Sequence, residues 1–73
     1  MIKYDIIGET VVRGVKLEMT QDPTVGAFAL AWDGSNGSGR ADFDTASSPS
    51  KIWSEAIRSL RVDPARRPVA NPR

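Results

Sequence analysis

The stretch VKLEMTQDPTVGAFALAW, which runs from Val15 to Trp32, decides the fold. Up to Thr20 it alternates apolar with polar residues, which is the pattern of a strand that buries one face. The residues from Gln21 to Thr24 predict a turn, because Pro fixes φ and Asp bonds nearby backbone amides. The last part is apolar on both faces, and we expect its larger side chains to face the core. The stretch therefore predicts two neighbouring strands joined by a short turn.

Further strands are predicted on both sides of this stretch. Ile2, Tyr4 and Ile6 alternate with polar residues, which predicts a first strand with these three side chains on its buried face. Gly8 predicts a bend or bulge in that strand. On the other side, residues 34–39 predict a hairpin loop followed by a short return strand, since an Asn-Gly pair tolerates positive φ. The loop lacks the Gly-Lys-Ser/Thr ending of a phosphate-binding loop, so we interpret it as structural.

One helix is predicted after the last strand. Ser48 is placed to cap its first turn, and Pro49 suits the first helical position. Its apolar residues recur at helical spacing and form one stripe: Ile52, Trp53, Ala56, Ile57 and Leu60. The helix ends at Asp63, because Pro64 disfavours helical geometry at the residue before it. We therefore predict an α+β fold, in which one C-terminal helix covers a three- or four-stranded antiparallel sheet.

The domain organisation is predicted to be simple. Residues 1–61 form a single α+β domain, and residues 62–73 form an Arg/Pro-rich tail. The tail contains three prolines and almost no bulky apolar side chains. We therefore expect it to contribute nothing to the core and to be extended, mobile and disordered.

The composition excludes several kinds of chemistry. The 73 residues include no Cys and no His, which rules out disulfides, thiolate or imidazole metal ligands and a Ser-His-Asp triad. A chain of this length has little room for a deep pocket, so we expect no enzyme, no catalytic residue, no cofactor and no metal site. Three acidic residues flank the loop, and we interpret them as solvated carboxylates rather than as cation ligands: Asp33, Asp42 and Asp44. No apolar run predicts a membrane span or a signal peptide, so we expect a cytosolic protein.

The net charge of +1 hides an asymmetry. Residues 1–57 contain five basic and eight acidic residues, a net −3, whereas residues 58–73 contain five arginines and one Asp, a net +4. Arginine pairs with carboxylate or phosphate in a two-pronged geometry, so the basic end predicts an interaction segment. Its candidate partner-binding residues are Arg58, Arg61, Arg66 and Arg67. We favour an acidic protein surface over nucleic acid, because the acidic body would repel a phosphate backbone; a tail that only aids solubility is the alternative.

Two apolar residues complete the candidates for partner binding. Trp32 is expected at the rim beside the loop, and Trp is enriched at binding hot spots. Ile7 lies on the strand face opposite to Ile6 and is a candidate for exposure. If the first strand lies at the edge of the sheet, its free amides and carbonyls can accept a strand from another protein. An internal position for this strand is the alternative.

Two segments carry a resemblance to a known family. They are MIKYDIIGE, residues 1–9, and SPSKIWSEAIR, residues 48–58. With the Arg/Pro-rich tail and the total length, they make the chain similar to small phage-encoded regulators of bacterial RNA polymerase.

The resemblance implies a function. Such a regulator binds the large catalytic subunits of the host RNA polymerase in the host cytoplasm. It blocks initiation by weakening or displacing the sigma factor, and it modulates termination. We expect a monomer that does not bind membranes and whose main partner is a protein. The alternatives are an anti-CRISPR-like phage inhibitor of a host nucleic-acid enzyme and a small nucleic-acid-binding module.

Overall fold

Four antiparallel strands and one helix make up the fold in the computed structural model, which describes residues 4–35 and 37–69. The strands follow each other in the order β1-β2-β3-β4, so every strand pairs with its neighbour in sequence. Their bounds, with that of the helix, are β1 Asp5–Val12, β2 Val15–Gln21, β3 Phe28–Gly34, β4 Gly37–Phe43 and α1 Pro49–Val62. The predicted α+β fold is confirmed, with four strands rather than three.

The first hairpin turn is one that the sequence analysis did not predict. Arg13 and Gly14 connect β1 to β2, and both have positive φ, 50° and 84°. A two-residue turn of this kind matches the right-handed twist of the flanking strands, and glycine adopts it without strain. The predicted hairpin between β3 and β4 is confirmed, but its loop is shorter than residues 34–39, because Gly34 pairs with Gly37 and both belong to strands.

The core lies between the helix and one face of the sheet. Leu17 and Leu30 of the central strands and Leu60 of the helix are fully buried. Phe28 stacks on Phe43 with ring centroids 5.1 Å apart. At the β1 side, the ring of Trp53 packs over Gly8 so closely that an added Cβ would lie 3.2 Å from it. The larger side chains of the alternating pattern between residues 15 and 32 therefore face the core, as predicted.

Both predicted helix ends are confirmed. The Ser48 hydroxyl accepts a hydrogen bond from the Lys51 amide at 3.4 Å, with Pro49 as the first helical residue. Asp63 ends the helix, and its amide donates to the carbonyl of Ser59 at 2.9 Å. The helix therefore extends to Val62, one residue past the predicted domain boundary.

The segment after the helix packs back onto the domain. The Asp63 carboxylate accepts a hydrogen bond from the Ala65 amide at 3.0 Å, and the Asp63 carbonyl accepts one from the Arg66 amide at 3.1 Å. This turn reverses the chain, so that Pro68 is buried and Val69, only 8% exposed, joins the core. The prediction that the chain contributes nothing to the core after residue 61 is therefore wrong at Val69. Residues 70–73 of the predicted tail lie outside the described residues.

Candidate partner-binding surfaces

Strand β1 lies at one edge of the sheet, which confirms the edge position considered from the sequence. Most of the large apolar side chains that are exposed belong to this strand or precede it: Tyr4, Ile6, Ile7 and Val11. Ile6 and Val11 are 61% and 65% exposed, and Ile7, a predicted site residue, is 44% exposed. We call this strand with Tyr4 the β1 edge. An edge strand with several exposed apolar side chains is typical of a surface that binds another chain.

The strand register explains why these side chains are exposed. Val12 pairs with Val15 and faces the helix, whereas Val11 pairs with Lys16 on the opposite face. The predicted irregularity at Gly8 is confirmed, because the register shifts between Ile6 and Gly8. This bulge places Ile6 beside Thr20 on the face away from the helix. The prediction that Tyr4 and Ile6 lie on a buried face is therefore wrong: a constant alternation was assumed across a bulge.

The charged residues on the sheet face opposite the helix are mainly acidic. Strand register places four carboxylates there, with two basic side chains among them: Glu9, Glu18, Asp33 and Asp42, with Lys16 and Arg40. Arg40 and Asp42 form an exposed ion pair at 3.0 Å. An exposed pair of this kind contributes little to stability, because both ions stay hydrated.

Arginines gather at the end of the molecule where the two hairpin turns meet the end of the helix. Arg13 shows this convergence, because its Nη1 atom donates to the carbonyl of Arg61 at 2.8 Å. We call this end the cationic end, and its arginines are Arg13, Arg40, Arg58, Arg61, Arg66 and Arg67. Arginines near a helix C-terminus also complement the partial negative charge of the helix dipole. The opposite end of the sheet carries Asp5, Asp22 and Asp44.

A groove lies within the cationic end, between the β3–β4 hairpin and residues 64–67. Its volume is about 460 Å³. We call it the arginine groove, and the residues that line it include Trp32, Ser38, Gly39, Arg40, Arg66 and Arg67. A shallower groove of about 320 Å³ adjoins it, because Arg66 lines both grooves and Arg58 lines the second.

Trp32 forms the floor of the arginine groove. Its indole ring lies flat against Gly39, where an added Cβ would be only 2.5 Å from the ring. The guanidinium carbon of Arg67 lies over the same ring, 5.2 Å from its centroid. A cation over an indole face at an exposed site contributes about 0.5–1 kcal/mol. The stack therefore fixes one arginine of the groove in position.

The structure brings together three of the six predicted site residues. Trp32, Arg66 and Arg67 line one groove, and Arg58 lines the adjoining one. Arg61 is exposed at the end of the helix, and its carbonyl accepts the hydrogen bond from Arg13. Ile7 lies on β1, whereas the groove lies beside β4 at the other edge of the sheet. The candidates therefore form two separate surfaces, the β1 edge and the cationic end.

Arg13 and Arg40 are members of the cationic end that the sequence analysis missed. Gly14 between two strand-like runs was the one local signal for a turn at Arg13, and Arg-Gly is not among the pairs that favour a two-residue hairpin.

Two of the three acidic residues around the β3–β4 hairpin have a partner within the chain. Asp42 pairs with Arg40, and the Asp44 carboxylate accepts a hydrogen bond from the Ala46 amide at 3.0 Å. Across residues 4–35 and 37–69, no three acidic side chains are grouped closely enough to hold a metal ion. In the same part of the chain, no helix is both long and apolar enough to cross a membrane.

Comparison of the chain with protein-family models, with curated proteins and with solved structures gave no match.

Proposed function

We propose that this protein is a non-enzymatic binding module that docks on the large subunits of bacterial RNA polymerase. The observation that carries the proposal is the β1 edge, where Ile6, Ile7 and Val11 are exposed beside strand backbone that no other strand of residues 4–35 and 37–69 pairs with. An extended segment of a partner adds to such an edge through main-chain hydrogen bonds, while apolar side chains supply the contact area. The identity of the partner rests on the resemblance of residues 1–9 and 48–58 to phage regulators of the polymerase.

The cationic end supplies the second contact of the proposed function. Arg58, Arg61, Arg66 and Arg67 are all exposed, and an acidic surface on the polymerase is the protein partner that suits them. Complementary charge accelerates encounter and selects the partner, while the apolar edge holds it. Because the two surfaces lie on different sides of the molecule, one protein can bridge two polymerase surfaces.

This arrangement accounts for inhibition without catalysis. A module that occupies polymerase surfaces in the host cytoplasm competes with the sigma factor and thereby blocks initiation. If it stays bound during elongation, it also alters termination. Both effects require only that the protein occupies a surface of the polymerase, and neither requires a catalytic residue.

The test is a binding measurement with purified bacterial core RNA polymerase. The Ile7→Lys variant places a charge in the strand-addition surface, and we expect its affinity to fall at least about tenfold, which corresponds to about 1.4 kcal/mol. The matched control is Val25→Lys, because Val25 is 60% exposed and lies outside the strands. It should bind as the unmodified protein does.

Two outcomes would contradict the proposal. In the first, the unmodified protein does not bind core polymerase, and a pulldown from bacterial lysate recovers a defence nuclease instead. In the second, Ile7→Lys and Val25→Lys bind the polymerase equally well, which would remove the β1 edge from the interface. Circular dichroism of both variants shows whether the fold is retained.

A further inference from the structure

We propose that the arginine groove binds single-stranded nucleic acid through its phosphate groups. This activity goes beyond the proposed function, because it requires neither the β1 edge nor a protein partner. The sequence alone argued against it, on the ground that an acidic body repels phosphate. The folded chain weakens that objection, because no carboxylate lines the arginine groove itself.

Asp33 and Asp63 each precede a lining residue in sequence but do not themselves line the groove, and three further acidic residues lie far from it. Asp5, Asp22 and Asp44 lie at one end of the strands, and the cationic end lies at the other. A seven-residue strand such as β2 spans about 20 Å at about 3.3 Å per residue. The Debye length at physiological salt is about 8 Å. A phosphate at the cationic end is therefore screened from the acidic end by more than two Debye lengths.

The groove has the chemistry of a phosphate site. The lining includes Arg66 and Arg67 and no carboxylate. Within residues 4–35 and 37–69, neither Arg66 nor Arg67 forms an ion pair with a carboxylate. Arg40 and Ser38 also border the groove, but strand register places both on the sheet face away from the helix, where Arg40 pairs with Asp42. Arginine forks bind phosphate oxygens in pairs.

The size of the groove favours a single strand. Its volume of about 460 Å³ is in the range of small-ligand pockets, which suits one nucleotide. Arg66 connects it to the adjoining groove lined by Arg58 and Glu55, so that a second phosphate of the same strand finds a second arginine there.

The stack of Arg67 on Trp32 favours nucleic acid over an acidic peptide. Unpaired bases stack on guanidinium planes and on aromatic rings. Asp and Glu side chains have no flat face to match this surface, although their carboxylates would pair with the arginines. A nucleotide can pair its phosphate with the arginine charge and stack its base on the guanidinium plane.

Fluorescence anisotropy with labelled oligouridine and oligodeoxythymidine of about twelve nucleotides tests the proposal. At low salt, about 20 mM, we expect a dissociation constant of about 10–100 µM, with affinity that falls as salt rises. The Arg66→Gln/Arg67→Gln variant should bind at least about tenfold more weakly, and its salt slope should fall by about 1.4, since each phosphate contact to a single strand contributes about 0.7. The matched control is Lys16→Gln/Lys51→Gln, which removes two charges from exposed positions outside the groove and should change the affinity less than about threefold.

Three outcomes would overturn the proposal. The first is that the unmodified protein does not bind either oligonucleotide at low salt. The second is that the control variant loses as much affinity as the arginine variant, in which case only the net charge matters. The third is that a hexaglutamate peptide binds as tightly as the oligonucleotides, which would assign the groove to acidic peptides. Since these assays contain no polymerase, their failure leaves the proposed function standing, and failure of polymerase binding leaves this proposal standing.

Discussion

Truncation of Val69 to Ala tests whether the segment after the helix belongs to the folded domain. Val69 lies in the core cluster at 8% exposure, although its neighbours in sequence are arginines and prolines. Its burial holds residues 64–67 beside the β3–β4 hairpin and so forms one wall of the arginine groove.

The expected loss of stability follows from the atoms that the substitution removes. Val→Ala deletes two carbon groups, and each buried one is worth about 0.8 kcal/mol, so the transfer contribution is about 1.6 kcal/mol. A residual cavity adds to this loss, and we expect a decrease of about 1.5–2.5 kcal/mol in the free energy of unfolding. In a domain of this size, about 1 kcal/mol lowers Tm by about 4–8 °C. The expected decrease in Tm is therefore about 6–20 °C.

Val62→Ala is the matched control, because the same atoms are removed from a side chain that is 73% exposed. Urea denaturation followed by circular dichroism should place the control within about 0.5 kcal/mol of the unmodified protein. If Val69→Ala and Val62→Ala are equally stable, the segment does not pack as described, and the account of the groove fails with it.

Three further substitutions test the local structure, each by the same denaturation measurement. Ser48→Ala removes the helix cap and should cost about 1 kcal/mol; no loss would contradict the capping bond. Gly14→Ala places a side chain at φ 84° and should cost about 1–2 kcal/mol, so a stable variant would exclude this turn. Gly39→Ala forces a Cβ into the Trp32 ring and should cost about 1–3 kcal/mol, whereas unchanged stability and oligonucleotide affinity would show that the ring does not lie on Gly39.

Local signals in the sequence predicted most of the fold. The alternation around Leu17 and the apolar run around Leu30 fixed which face of the central strands is buried, since a strand has a period of two. The Ser-Pro pair at residue 48 and the Asp-Pro pair at residue 63 fixed the ends of the helix, because capping and proline geometry depend on adjacent residues alone.

The parts that the sequence did not predict depend on contacts between distant residues. The buried position of Val69 requires the turn at Asp63 and the presence of the core that it joins, and neither is visible in a segment rich in Arg and Pro. The bulge at Gly8 was expected, but its effect on Ile6 was not, because one extra residue reverses the face of every residue before it.

The candidate site was predicted only in part, because its geometry also depends on contacts between distant residues. The concentration of arginines after residue 57 predicted an interaction segment. It did not predict how these arginines are arranged in space. The arginine groove arises only when the β3–β4 hairpin, which supplies Arg40 and Gly39, meets the segment that carries Arg66 and Arg67.

The central claim, that the β1 edge accepts a strand from RNA polymerase, is tested most directly by amide hydrogen exchange in the free and the polymerase-bound protein. The outer amides of β1 should exchange at least about tenfold more slowly in the complex, because they would form main-chain hydrogen bonds with the partner. Strand β2, which pairs with a neighbouring strand on both sides in the free protein, is the control within the chain and should change less. Exchange at β1 that is the same in the free and the bound protein would contradict the claim.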